Sequence, residues 1–221
     1  KNRTKDAVIV DERHNGGGWL HDDLCTLLSG KQYQEFVPHG KVVGKDPFNK
    51  WTKPSCVLIC EDDYSNGHGF PWVYKELGIG KLIGAPVAGT MTAVWWETLM
   101  DRSLVFGIPQ VGCRDMRGTF GENTTLQPDI EVYNSPEDYI TGHDTQLIRA
   151  VEEMMKSKEE ELLPSEKVPK RGIIPLKQGV KIGIILLKQG VKTGIIPLKQ
   201  GVKTGIIPKN IIQKSVVANR A

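Results

Sequence analysis

Residues Asp6–Trp19 read DAVIVDERHNGGGW, a short apolar run followed by a polar, glycine-rich turn. Two later runs have the same form, SCVLICED at Ser55–Asp62 and KLIGAPV at Lys81–Val87. Continuous Val, Ile and Leu runs bounded by turn residues are typical of strands buried on both faces of a parallel sheet. Between them, WLHDDLCTLLSG predicts a helix, and GFPWVYKELGIG predicts another with Pro71 near its start and Gly78 at its end. The alternation predicts an α/β fold.

The second half of the chain adds further elements and then changes in composition. SLVFGIPQVG and DIEVY read as strands, and Ser135–Glu161 predicts a terminal helix that is capped near Gly142–Asp144. From Gly172 the chain repeats an 11-residue unit as GIIPLKQGVKI, GIILLKQGVKT and GIIPLKQGVKT, and GIIP starts a fourth copy at Gly205. We therefore divide the chain into residues 1–160, the C-terminal part of a folded core, and residues 161–221, a low-complexity tail.

The repeat unit contains proline and two glycines, which interrupt helices. Because each copy breaks a continuous helix, we expect Leu163–Ala221 to be an appendage that is disordered or loosely extended and does no chemistry. The alternative is that GIIPLK units form small hairpins or add as strands to the edge of a sheet.

The composition fits a folded domain and disfavours several classes of function. Hydrophobic residues make up 39% of the 221 residues, and the formal net charge is +3. The basic excess comes from the last fifty residues, so the front portion does not suggest a nucleic-acid groove. The four cysteines lack the spacing of a disulfide framework or metal site, and we expect Cys56 and Cys60 to be buried thiols.

Nothing in the sequence predicts a membrane span or a signal peptide. Apolar runs are too short for a span, and the first residues, KNRTKDAVIV, lack a signal-peptide core. The chain begins without Met, in polar residues that lead directly into a strand. We therefore expect an upstream portion to be missing, which leaves the compartment, cytoplasmic or exported, unreadable.

Three motifs carry the residues suited to catalysis. In DERHNGGGW, glycines after a strand can leave main-chain N–H groups free to bind an anion, although a plain strand-to-helix turn would look the same. In CEDDYSNGHGFPW, Ser65 lies where a strand meets a helix, as a nucleophile would, although a serine before Asn-Gly is by itself more often a turn residue or helix N-cap. In FGENTTLQPDIEVY, Glu122 could orient a histidine or simply be solvated.

In this order and spacing, the three motifs resemble the core of tricorn-type serine peptidases, members of the C-terminal-processing (tail-specific) peptidase superfamily. The resemblance covers about residues 6–155 and implies a ClpP/crotonase-like core of stacked ββα units, incomplete at its N-terminus. It implies that Ser65 is the nucleophile and that Glu122 is the acidic partner. The oxyanion donors would be the main-chain amides of Gly17 or Gly18 together with that of Asn66.

The sequence also departs from the family. Tail-specific relatives use a Ser-Lys dyad, but the stretch GAPVAGT ends in Thr90 where the lysine would stand, so the Ser-His branch fits better. The histidine of that branch would lie upstream of Lys1. His14 and His68 are the nearby alternatives as the base. Without one, a serine is a poor nucleophile, so we expect this chain alone to be nearly inactive.

These observations leave several functions open. The resemblance implies a serine-type endopeptidase or carboxy-terminal-processing peptidase with a peptide or protein substrate, no cofactor, no metal and a possible homo-oligomeric state. Thr90 and Trp95 are candidates for lining its cleft, although Trp95 could equally cap the core. The alternatives are a catalytically inactive peptide-binding pseudoenzyme and, last, an acyl-thioester enzyme of related fold. The acids and histidines near the turns match no metal-hydrolase spacing.

Overall fold

The computed structural model describes residues 2–162, 181–187 and 212–217. Its helices and strands follow one another in the order β1 (Ala7–Asp11), α1 (His21–Leu28), β2 (Gln34–Phe36), a 3₁₀ turn (Pro38–Gly40), β3 (Gly44–Asp46), β4 (Ser55–Ile59), α2 (Asn66–Glu76), β5 (Lys81–Gly84), β6 (Ala93–Thr98), β7 (Val105–Val111), β8 (Ile130–Glu131), α3 (Pro136–Thr141), α4 (Thr145–Leu162), β9 (Ile182–Leu187) and β10 (Ile212–Val217).

The main sheet has six strands in the order β10-β9-β1-β4-β5-β8, and every neighbouring pair is parallel. Every residue of β1 and β4 is buried. Their side chains alternate between two core clusters, one containing residues of α1 and α2 and the other containing residues of α4. The predicted α/β fold with a buried parallel sheet is therefore confirmed, while the ClpP/crotonase-like arrangement and the missing upstream part stay predictions.

The helices depart from the sequence expectation in their bounds. α2 begins at Asn66, three residues before the predicted stretch, because the amides of His68 and Gly69 already donate to the Ser65 carbonyl. Pro71 consequently lies inside this helix. The single predicted terminal helix is two helices, because Gly142, with φ +70, ends α3 in a left-handed conformation.

Two antiparallel hairpins stand apart from the main sheet. β2 pairs with β3, which the sequence analysis did not predict, and β6 pairs with β7. β7 falls within the predicted strand SLVFGIPQVG. Cys56 and Cys60 are buried free thiols, as expected. None of the described helices combines the length and apolar composition that a membrane span requires.

The expectation of a disordered or loosely extended tail is wrong for the parts of it that the structure describes. Residues 182–187 form β9, which pairs in parallel with β1, and residues 212–217 form β10, which pairs with β9. Ile182 and Ile184 are fully buried in the cluster that contains α4 residues. Pairing with the outer edge of β1 and the burial of these side chains stabilise β9, as in the edge-strand alternative. Residues 163–180 and 188–211 of the tail lie outside the described residues.

Replacing Tyr74 with Phe should destabilise the core. The Tyr74 hydroxyl is fully buried and lies 2.7 Å from the Ser55 hydroxyl, so its loss would leave the Ser55 hydroxyl without that partner. We expect a cost of about 1–3 kcal/mol, the usual penalty for a buried unsatisfied polar group. Urea unfolding of Tyr74→Phe measures it, and Tyr33→Phe, at an exposed ring, serves as control. Equal midpoints for both variants would contradict this account of the core.

Candidate active site

Ser65 occupies a strained turn between the end of β4 and the start of α2. Its backbone has φ +57° and ψ −115°, in the region of positive φ that non-glycine residues rarely adopt. It stands at the N-cap position of α2, yet its side chain makes no capping hydrogen bond. Ser65 therefore has the position of a helix N-cap, as the alternative interpretation of the sequence predicts. Its hydroxyl is not used for capping.

The glycine-rich turn lies directly against Ser65. A Cβ built on Gly17 would stand 2.8 Å from the Ser65 Cβ and 3.2 Å from its Oγ, so only glycine fits there. The Gly17 amide donates to the Asn15 side-chain oxygen at 3.0 Å. For Gly18, which also has positive φ, no hydrogen bond to its amide is found among the described residues. Of the two glycines predicted as oxyanion donors, Gly18 is therefore the one whose main-chain amide is free to bind an oxyanion.

Hydrogen bonds join this turn to the turn that carries Ser65. The Tyr64 amide donates to the Asn15 carbonyl at 2.9 Å, and the Asn15 amide donates to Asp63 at 3.2 Å. The second oxygen of Asp63 accepts from the Cys60 amide at 2.9 Å. Sequence reasoning missed Asn15 and Asp63 as structural residues of the site. Their place in the turns that follow two adjacent parallel strands indicates that they lie near the site, but not which hydrogen bonds they make.

The side chain of Asn66 links the start of α2 to the residues at the start of α1. Its side-chain oxygen accepts from the Leu20 amide at 3.0 Å, and its nitrogen lies 2.8 Å from Nδ1 of His21. Because Asn66 is the first residue of α2, its main-chain amide has no partner within the helix. It can therefore bind an anion near Ser65, as the sequence analysis expects.

Two carboxyl groups are buried beneath these turns. Glu12 is fully buried, with one oxygen accepting from the Asn15 side chain and the other without a hydrogen-bond partner among the described residues. Burial raises the pKa of Glu12 well above its usual value, and the nearby Asp63 raises it further. Burial also raises the pKa of Asp63 to about 7, although hydrogen bonds from the Cys60 and Asn15 amides oppose the shift. Both carboxyl groups therefore favour the protonated form more than an exposed acid does.

Glu122 reaches the site indirectly. Its Oε2 accepts from the amides of Met91 and Thr92 at 2.8 and 2.7 Å. Hydrogen bonding from Thr92 and Met91 lowers the pKa of Glu122. Within the same turn, the Thr90 hydroxyl accepts weakly from the Ser65 amide at 3.4 Å. Glu122 therefore fixes the turn that places Thr90 beside the backbone of Ser65.

No histidine of the described residues makes a hydrogen bond to the Ser65 hydroxyl. His68 is fully buried, burial lowers its pKa, and neither ring nitrogen has a hydrogen-bond partner among the described residues. Nδ1 of His14 lies 2.9 Å from Asp62, at the surface. Of the two histidines suggested as alternatives to an upstream base, His14 is bonded to Asp62 and His68 is buried. Neither is hydrogen-bonded to Ser65 as a catalytic base would be.

Two further groups singled out by the sequence can be located in the structure. Trp95 lies on β6 opposite Ile108 and is 62% exposed, and its place in a substrate cleft stays a prediction. The ligand-type atoms of His14, Cys60 and Asp62 lie within 4.8 Å of one another. Hydrogen bonds within the group join His14 to Asp62 and Cys60 to Asp62.

Comparison with known proteins identifies related chains. The model of Peptidase family S41 matches residues 1–132. The chain is 28% identical over 151 residues to the tricorn protease of Thermoplasma acidophilum. This match covers 68% of this chain and 14% of that protein. It is 27% identical over 157 residues to a tricorn protease homolog of Saccharolobus solfataricus, covering 69% and 14%. The chain thus spans less than a fifth of the length of these relatives.

A solved structure supports the same relationship. The crystal structure of the tricorn protease matches with a TM-score of 0.63 and 27% sequence identity, covering 70% of this chain and 15% of that chain. The resemblance to tricorn-type peptidases is therefore confirmed in both sequence and fold.

Replacing Gly17 with Ala should cost more stability than the same change at Gly142. Both glycines have positive φ, +108° at Gly17 and +70° at Gly142, so alanine strains the backbone at each position, by about 1 kcal/mol or more. Nothing lies within 4 Å of a Cβ at Gly142, whereas a Cβ at Gly17 meets Ser65 at 2.8 Å. Chemical denaturation should give a larger loss for Gly17→Ala by 1 kcal/mol or more, about the cost of overpacking. Equal losses would mean that Gly17 and Ser65 are not in contact.

Asp63→Asn should flatten the dependence of stability on pH. A carboxyl group whose pKa is raised on folding favours the native state below its unfolded pKa and destabilises it progressively as pH rises. In the wild type, Asp63 should therefore reduce the free energy of unfolding between about pH 4 and pH 7. Asn cannot ionise, so this contribution disappears, although one amide hydrogen bond is also lost.

Denaturation at several pH values measures this difference in slope. Asp23→Asn, at an exposed acid of α1, should keep the wild-type slope. If Asp63→Asn also kept it, Asp63 would not be the buried, proton-binding group that the structure indicates.

Proposed function

We propose that this chain, which belongs to peptidase family S41, carries the nucleophile and oxyanion site of a serine peptidase. Its substrate would be a peptide or protein. The observation that carries the proposal is the strained Ser65, packed against Gly17 with its hydroxyl free of any capping role. A backbone strain of this kind persists where the surrounding hydrogen bonds hold it, and here two turns do so.

The reaction begins when the Ser65 oxygen attacks the carbonyl carbon of a peptide bond. A base takes the hydroxyl proton as the new C–O bond forms, and the carbonyl oxygen becomes an oxyanion. The amides of Gly18 and Asn66 bind that oxygen. The protonated base then gives its proton to the departing amine, the C–N bond breaks, and water hydrolyses the acyl-serine ester. Loss of one oxyanion donor typically costs about 100- to 1000-fold in turnover.

Glu122 acts through the turn that it holds. Its oxygen binds the amides of Met91 and Thr92, and Thr90 accepts from the Ser65 amide. We assign Glu122 as a positioning residue that fixes this side of the nucleophile turn. A role in orienting a histidine, which the family resemblance implies, would add to this one.

The base is a histidine supplied from outside the described residues. Two observations support this proposal: His68 is buried, and His14 pairs with Asp62. A serine without a base is a weak nucleophile, so the chain alone should react slowly. In a longer form of the protein, an upstream histidine would complete the site and allow turnover.

A catalytically inactive peptide-binding protein is the second candidate. The same absence of a histidine bonded to Ser65 among the described residues favours it. The two functions differ in one respect: a peptidase needs a reactive Ser65 once the base is present, whereas a binding protein never does. The proposals of endopeptidase or carboxy-terminal-processing specificity, and of a homo-oligomer, rest on the family resemblance.

A fluorophosphonate probe should label Ser65 slowly in this chain. The oxyanion amides are in place but no base is bonded to the hydroxyl, so we expect labelling at least 100-fold slower than in a form extended upstream. Ser65→Ala should abolish labelling of both forms, as peptide mass mapping would establish. His68→Ala should leave the slow rate of the short form unchanged.

Each outcome separates the candidates. Fast labelling of the short chain that depends on His68 would overturn the proposal of an external base. Absence of labelling in the extended form would overturn the peptidase function in favour of the binding protein. Ser103→Ala, at a serine of an exposed turn that bonds only to Asp101, is the control for loss of a serine hydroxyl.

A further inference from the structure

The copy of the tail repeat that docks on the core differs from the others at one position. The four copies have Pro175, Leu186, Pro197 and Pro208 as their fourth residue, so only the second copy lacks proline there. Residues Gly183–Leu187 of this second copy, together with the preceding Ile182, form β9. The residue before the copy also differs, because Ile182 stands where the third and fourth copies are preceded by threonine.

Leu186 lies where the sheet cannot accept proline. It pairs with Asp11 of β1 on one side and with Val216 of β10 on the other. Every main-chain N–H of a strand with neighbours on both sides faces one of them, so a proline there removes a ladder hydrogen bond and places its ring against the adjacent strand. Proline is therefore confined to edge strands or bulges.

The burial of β9 adds a second requirement. Ile182 and Ile184 are fully buried in the cluster that contains α4 residues, and Leu187 is 4% exposed in the cluster that contains α1 and α2 residues. Threonine in place of Ile182 would put a hydroxyl into an apolar core, which is costly without a partner. A segment that fits must therefore be apolar on both faces.

We propose that the outer edge of β1 is an acceptor site for one extended, proline-free segment of the type Ile-Gly-Ile-Ile-Leu-Leu, running parallel to β1. The chain fills this site with its own second repeat. β1 ends at Asp11 and leads into the turn that contains Gly17, so the docked segment supports the strand that positions the glycine turn. The site selects among nearly identical copies by the presence of a main-chain N–H at the fourth position.

Leu186→Pro tests this selection in the full chain. We expect amide hydrogen exchange in Ala7–Asp11 to become at least 10-fold faster, because the outer side of β1 loses its partner. Leu186→Val, which keeps the N–H and the apolar character, should retain wild-type protection. Equal protection in the two variants would overturn the proposal.

A repaired third copy makes the test independent of simple loss of folding. Thr193→Ile and Pro197→Leu, added to Leu186→Pro, give the third copy the sequence KIGIILLK that residues 181–188 have in the wild type. The eleven extra residues in the connection cost little entropy. Protection of β1 should return in this triple variant, and failure to return would contradict selection at the β1 edge.

Synthetic peptides test the same site in trans. The peptide KIGIILLK should bind the Leu186→Pro variant and restore protection of β1, whereas KIGIIPLK should do neither. Equal binding of both peptides, or of neither, would contradict a proline-excluding strand site. Ser65 is unchanged in every variant, so these outcomes do not depend on the peptidase proposal.

Discussion

The site depends on one constraint, the parallel pairing of β1 with β4. Their register places Asp11 opposite Leu58, so both strands end at the same edge of the sheet and their following turns must meet. The Tyr64 amide donates to the Asn15 carbonyl, and Asp63 accepts from Asn15 and Cys60. Held in this way, Ser65 takes a positive φ and lies against a glycine that no other residue can replace.

The constraint also has an energetic cost. Asp63 and Glu12 are carboxyl groups buried beside each other, and burial raises the pKa of both. Burial of charge is unfavourable unless hydrogen bonds offset it, and Asp63 receives two from main-chain amides. Stability is therefore given up where the two turns are tied together. Such a pattern is common at functional sites, where strain and buried polar groups maintain a geometry that function needs.

The sequence predicts the sheet and the meeting of the two turns because both follow from local patterns. Apolar runs give the strands, and the parallel arrangement brings the ends of β1 and β4 to one edge. Asn15 and Asp63 could not be assigned roles in this way, because their hydrogen bonds depend on the register of β1 against β4. Nor does sequence spacing show that His68 is buried, since its side-chain direction depends on how α2 packs.

The tail is a second case in which the sequence pattern predicts only part of the structure. The repeat pattern argues against a helix, and the described segment Ile182–Leu187 is a strand. Under our proposal, a single residue decides which copy docks on β1. Leu186 removes the obstacle that proline would present, and the apolar neighbours Ile182 and Ile184 supply the buried surface. A copy-by-copy reading of where an N–H is missing would have predicted which segment joins the sheet.

The most direct measurement is a crystal structure of the chain after reaction with a small fluorophosphonate, which leaves a tetrahedral phosphonyl group on the reacting oxygen. The account predicts phosphorus on the Ser65 oxygen, with a phosphoryl oxygen about 2.7–3.1 Å from the Gly18 and Asn66 amide nitrogens. A phosphoryl oxygen directed into solvent, away from the glycine turn, would contradict the central claim that these two turns form an oxyanion site around Ser65.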